Sequence, residues 1–155
     1  MLSISALVEA GIPVMGHVGF TPQSVHALGG FKVQGRGDDA DKVMQECLDI
    51  EAAGAFAVVL EMVPAELAAR ITAALSIPTI GIGAGSQTDG QILVWTDFAG
   101  LSAKAPSFAK QYLNLRLELL EAATSYRAEV QASEFPSLLI LVWRSFQVTV
   151  ENSTK

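Results

Sequence analysis

The sequence predicts an α/β fold, with a short parallel sheet and helices between its strands. Two observations carry this. Strand-like apolar runs alternate four times with stretches whose apolar residues recur at helical spacing, the pattern of β-then-α units joined by right-handed crossovers. The run Phe56–Met62 is apolar except for Glu61, as expected of a strand buried on both faces of a parallel sheet. A third observation sets the size. The chain has 155 residues, whereas a complete (β/α)₈ TIM barrel takes about 250. Four units could form a small open sheet or half of such a barrel; the expectation is half a barrel, followed by a long C-terminal amphipathic helix.

The elements follow in order. Ile12–Val18 reads as the first strand, with His17 where the strand gives way to a turn. Thr21-Pro22 reads as an N-cap followed by proline at the first helical position. Gly29-Gly30 would stop that short helix, and Lys32, Gln34 and Arg36 follow on a glycine-flanked loop of the kind that binds ligands. Asp38–Ala53 is the next helix, with Val43, Cys47 and Ile50 on one face and Gly54 at its stop. After the strand Phe56–Met62, Pro64 opens a helix over Ala65–Leu75, whose Leu67, Ile71 and Leu75 share a face. Pro78–Ile82 is the third strand, ending in the loop GAGSQTDG, and Ile92–Thr96 the fourth. Pro106-Ser107 then starts the long helix, carrying Phe108, Tyr112, Leu115, Leu119, Ala122, Tyr126 and Val130 as one stripe. That stripe would pack on the sheet or, in an oligomer, on a neighbour.

Composition narrows the function classes. Half of the residues are hydrophobic and 17% charged, which excludes a disordered chain. A net charge of −6 and a pI near 4.8 argue against a nucleic-acid partner, whose binders concentrate Lys and Arg. The single cysteine, Cys47, fits a reducing compartment and reads as a small buried hydrophobe. No run reaches the length of a membrane span. The start MLSISALVEAGIPV has no basic n-region, and Glu9 interrupts its apolar residues, so a signal peptide is not expected. The expected location is the cytoplasm, or the mitochondrion if a transit peptide lies upstream.

Glu61 is the first candidate for chemistry. It ends an apolar strand, the position from which catalytic groups of α/β barrels project, and burial raises a carboxylate's pKa toward that of a general base working near neutral pH. A carboxylate satisfied by a neighbouring lysine or backbone donor fits the position equally well. His17, taken alone, is more often a hydrogen-bonded structural residue than a catalyst. The loop GIGAGSQTDG could bring backbone N–H groups to an anion, or be a tight turn. Asp89 could ligate a metal, though a turn or N-cap residue is the better reading. Asp38, Asp39 and Asp41 invite a metal reading too, but negative charge at a helix N-terminus is favoured by the dipole, and the structural reading is preferred.

The ordered strings GHVGFTPQS, LEMVP and IPTIGIGAG, with PSFAKQY beyond them, resemble one family, ketopantoate hydroxymethyltransferase, a (β/α)₈ enzyme of pantothenate synthesis. The likeness spans roughly residues 5 to 135 and implies the C-terminal half of the barrel. Domain limits follow: 1–135 for the half-barrel and 136–155 for a divergent tail. The resemblance implies that Glu61 is the catalytic base and that His17 lies near the bound keto acid. It implies transfer of a hydroxymethyl group from 5,10-methylenetetrahydrofolate to 3-methyl-2-oxobutanoate, giving 2-dehydropantoate. Mg²⁺ would polarise the keto acid and stabilise the enolate. The implied partners are a small keto acid and a folate, with a homo-oligomer as the assembly; the family forms decamers of barrels.

Two departures bear on activity. IPVMGHVGF is the fifth strand of the family's eight, and the first four supply its metal-ligating acids, so no metal ligand is assigned in this chain. The family pattern also ends near Phe135-Pro136, whereas SLLILVWRSFQVTVENSTK follows here. Leu138–Val142 and Phe146–Val150 have the composition of exposed, aggregation-prone strands; they read as a genuine extra strand or, preferred, as an unspliced or frameshifted gene end. The alternative to an enzyme is therefore a truncated, non-catalytic fragment that associates with another subunit. A barrel of the related phosphoenolpyruvate-dependent group leaves GHVGFTPQS unexplained.

Overall fold

The computed structural model describes residues 2–21 and 33–137. Four parallel strands lie side by side in sequence order: β1 (Met15–Gly19), β2 (Ala57–Glu61), β3 (Thr79–Ile82) and the two-residue β4 (Gly90–Gln91). Helix α1 (Leu2–Glu9) precedes β1, α2 (Asp39–Ala52) joins β1 to β2, and α3 (Ala65–Ala74) joins β2 to β3. After β4 come the single turn α4 (Trp95–Phe98) and the long α5 (Leu115–Gln131).

One face of the sheet is sealed by helices. Side chains alternate along a strand, so Val18, Val58 and Leu60 share a face, and they join Val43, Cys47 and Ile50 of α2 and Leu67, Ala68 and Ile71 of α3 in one core. The helical spacings read from the sequence are the ones buried. Cys47 is fully buried there, and burial pushes its thiol up to about 12, with the Glu46 carboxylate adding to the effect. β2 is buried on both faces from Ala57 to Leu60, as a central strand should be. Asp38 stands at the N-cap position of α2 without a side-chain capping bond, and Asp39 and Asp41 stand in its first turn, Asp39 Oδ2 accepting the Gly35 N–H at 3.0 Å.

Several expected boundaries are corrected. β1 begins at Met15, because Ile12 is spent closing α1 through its N–H to the Leu7 carbonyl at 2.9 Å. Helix α1 itself was not expected from the sequence. The third strand has no helix of its own: β3 runs through GAGSQTDG directly into β4, so the four units are not all β-then-α. The expected strand Ile92–Thr96 is displaced. Pairing falls on Gly90–Gln91, and the Val94 carbonyl accepts from Asp97 and Phe98 to start α4. Ile92, Val94 and Trp95 are exposed, so their apolar character is not that of a core strand.

The long helix begins at Leu115 rather than Pro106. Residues 106–114 are held against α4 instead: the Tyr112 and Leu115 N–H groups donate to the Phe98 and Ala99 carbonyls at 2.8 and 2.9 Å. Asn114 then caps α5, its side chain accepting from Leu117 N–H. No residue of α5 is buried, so the stripe does not pack on the sheet. The expected Thr21-Pro22 helix start with its Gly29-Gly30 stop, Lys32, and the tail strands after Ser137 lie outside the described residues.

Candidate functional site

The two residues singled out from the sequence meet. His17 Nε2 lies 3.0 Å from Glu61 Oε2. The register explains why. His17 pairs with Val59 and Gly19 with Glu61, so His17 and Glu61 are diagonal neighbours on the face turned away from α2 and α3. Opposite Glu61 stands Gly19, at φ +94°, where a Cβ would meet the Glu61 carbonyl oxygen and come within 2.8 Å of Val63 Cγ2. The glycine lets the β1 and β2 ends close up, and Phe20 N–H donates to that same carbonyl at 2.8 Å.

Glu61 is the more enclosed partner, its side chain 14% exposed against 33% for His17. A neutral imidazole protonated at Nε2 donates to the carboxylate and fixes its rotation. Oε1 is left without a partner among the described residues. A half-buried carboxylate with one oxygen held and the other open has the geometry in which a carboxylate can accept a proton. The neighbour is an imidazole, not the lysine or backbone donor considered from the sequence.

Beside the pair lies a cleft of about 520 Å³ lined by Glu61, Met62 and the segment Lys104–Phe108. Lys104 and Ser107 therefore line the site, which the sequence hides because Pro106-Ser107 has the pattern of a helix start. Their place past the last strand, on a carboxyl-edge loop, was the available signal. The glycine loop helps seat them: Gly83 has φ +62°, and a Cβ there would come within 2.8 Å of the Phe108 ring. Met62, immediately after Glu61, is held at φ +51°, a strained conformation of the kind that gathers at functional sites.

Asp89 is structural. Its Oδ2 accepts from Thr79 N–H at 2.8 Å and Thr79 Oγ1 at 3.0 Å, and these bonds, the backbone one first, hold its carboxyl below the usual range. It closes the glycine loop onto buried Thr79. A fit for Mg²⁺ fails: among the described residues no three His, Cys, Asp or Glu side chains gather to hold a metal, whereas Mg²⁺ needs a near-octahedral set of oxygen ligands. No helix among the described residues is long and apolar enough to cross a membrane.

The parallel sheet with helices packed on one face defines an α/β protein, with an acid–imidazole pair at the carboxyl edge of the sheet. The family follows from comparison. A model of the ketopantoate hydroxymethyltransferase family matches residues 1–138. The chain is 59% identical over 134 residues to the 3-methyl-2-oxobutanoate hydroxymethyltransferase of Acidothermus cellulolyticus, covering 86% of this chain and 49% of that protein. It is 59% identical to the enzyme of the same name from Leifsonia xyli subsp. xyli, with 86% and 48% covered. For the one from Frankia alni the figures are 56% identity, 88% and 45%. The chain belongs to the ketopantoate hydroxymethyltransferase family. It spans about half the length of the curated relatives it matches.

Proposed function

We propose that this chain is the C-terminal half of a (β/α)₈ hydroxymethyltransferase barrel and supplies its proton-abstracting base, Glu61. The observation that carries this is the 3.0 Å contact between Glu61 and His17 on the sheet face away from the helices, the face a closed barrel turns inward. The sequential strand order and the half-length match to the relatives support the half-barrel.

In this reading Glu61 takes the proton from C3 of 3-methyl-2-oxobutanoate, and the C–H electron pair moves into an enolate. Water releases the methylene group of 5,10-methylenetetrahydrofolate as formaldehyde, both folate C–N bonds breaking and the two nitrogens taking up the water's protons. The enolate carbon attacks that formaldehyde, and the alkoxide formed takes the proton back from Glu61, giving 2-dehydropantoate and tetrahydrofolate. His17 keeps the carboxylate turned toward C3 and stands beside the keto acid. The divalent cation, for which the described residues form no site, would be held by groups outside them.

The test is a single polypeptide joining the first half of the Acidothermus cellulolyticus relative to this chain. The fusion should form 2-dehydropantoate, and Glu61→Gln should reduce the rate at least about a hundredfold, the low end for loss of a general base. A folded fusion without turnover, or a Glu61→Gln variant within a few-fold of its parent, would overturn the proposal. A second reading is favoured by α5, whose apolar residues beyond Leu115 are exposed: the 155-residue chain acts only as an associating subunit. Turnover by the chain alone contradicts that second reading.

A further inference from the structure

The basic loop and the glycine loop come together in a second cleft, of about 670 Å³. The basic loop contributes Arg36, and the glycine loop, nearly fifty residues later, contributes Gly83 and Gly85. Arg70 lines it from α3, and Val63 is also part of the lining. Neither guanidinium has an ion-pair or hydrogen-bond partner among the described residues. The ten-residue α3 also begins here, and Pro64 gives its first turn no side-chain cap, so backbone N–H groups add to the positive field. Glu66 is the opposing charge in the lining. Two of the chain's five arginines thus line one cleft in a molecule of net charge −6.

We propose that this cleft binds the poly-carboxylate glutamyl tail of the reduced folate cosubstrate; the inference rests on the folate reading above. The cleft is distinct from the one at Glu61, yet continuous with it along the chain. Glu61 and Met62 line one, Val63 and Pro64 the other, and the left-handed turn at Met62 divides them. A ligand reaching both must be long and carry its anionic groups at one end. Of the two substrates only the folate has that form. Arginine suits the task, since its planar fork pairs with a carboxylate through two parallel hydrogen bonds.

The probe is p-aminobenzoyl-triglutamate, which lacks the pterin and so bypasses the Glu61 cleft, titrated calorimetrically into the full chain. Saturable binding is expected that weakens as salt rises from about 50 to about 500 mM, while p-aminobenzoate alone does not bind. Arg36→Gln and Arg70→Gln, both at exposed positions, should each weaken it about tenfold, the scale of a charge-assisted bond. In the fusion protein, the same variants should raise the KM for polyglutamylated folate with little change in the KM for the keto acid. Triglutamate affinity unchanged by both substitutions overturns the proposal. Inorganic phosphate binding as tightly as triglutamate overturns the ligand assignment. Failure here with Glu61→Gln still inactive sinks only this inference. Normal tail binding beside a fully active Glu61→Gln fusion sinks the earlier reading instead.

Discussion

Gly19→Ala tests the geometry that brings the site together. The position has φ +94°, and an L-residue forced into left-handed backbone costs about 1–2 kcal/mol. The added Cβ would also meet the Glu61 carbonyl and lie 2.8 Å from Val63 Cγ2. A backbone carbonyl in a strand cannot rotate aside, so β1 and β2 must part. That adds overpacking strain of about 1–3 kcal/mol and weakens the Phe20 N–H bond to the same carbonyl, worth about 1 kcal/mol. The expected total is about 3–6 kcal/mol, a large share of a domain's net stability. With a urea slope of about 1–3 kcal/mol/M, the unfolding midpoint should fall by at least about 1 M. Gly11→Ala is the control: its φ is +78°, but a Cβ there meets nothing within 4 Å, so it should cost only about 1–2 kcal/mol. Equal midpoint shifts for the two substitutions would refute the claim that close approach to Glu61 is what requires Gly19.

Cys47 should react with a disulfide reagent about a thousandfold more slowly in the folded chain than in urea, since its thiol moves from 9.0 to about 12 and only the thiolate attacks. The raised folded value gives a definite sign: its contribution is fully present below pH 9.0 and is lost as pH rises toward about 12. Over that window the wild type should lose stability relative to Cys47→Ala by about 1.4 kcal/mol per pH unit, and parallel pH profiles would contradict this. The chain alone should elute in size exclusion as a dimer or larger, because Leu117, Leu119, Leu120 and Tyr126 of α5 and Met15 on the open sheet face are exposed and association would recover about 25 cal/mol per Å² of apolar surface. A folded monomer at micromolar concentration would contradict it.

The parts of the fold legible in sequence were those where burial imposes a period. Val43, Cys47 and Ile50, and Leu67 with Ile71, were readable because a helix packed on a sheet can bury only one stripe. Phe56–Met62 was readable because a central strand is apolar on both faces. Ile92–Thr96 misled, since an apolar run carries no record of which residues find a partner strand. The true pairing was set by Asp89 closing the glycine loop on Thr79, a long-range hydrogen bond that no periodicity reports. Pro106-Ser107 misled similarly, as a good local helix start lost to backbone bonds with α4. Glu61 and His17 were each visible as strand-end residues, but their contact depends on parallel register across a separation of 44 positions. Arg36 is legible only as a loop residue and Lys104 only by its place past the last strand; Arg70 gives no signal, because nothing in its neighbourhood marks which side of the sheet it reaches.

The central claim, that Glu61 oriented by His17 removes a proton from the keto acid, is tested most directly by hydrogen exchange at C3 of 3-methyl-2-oxobutanoate. The fusion protein is incubated with the keto acid in deuterated buffer without folate, so that proton removal is observed apart from carbon transfer. The wild-type fusion should wash deuterium into C3. Glu61→Gln should bind the keto acid and exchange at least about a hundredfold more slowly, while His17→Gln, which leaves the carboxylate in place but loosens its orientation, should fall between them. Exchange by the Glu61→Gln fusion within a few-fold of the wild type, with keto acid binding intact, would contradict the account.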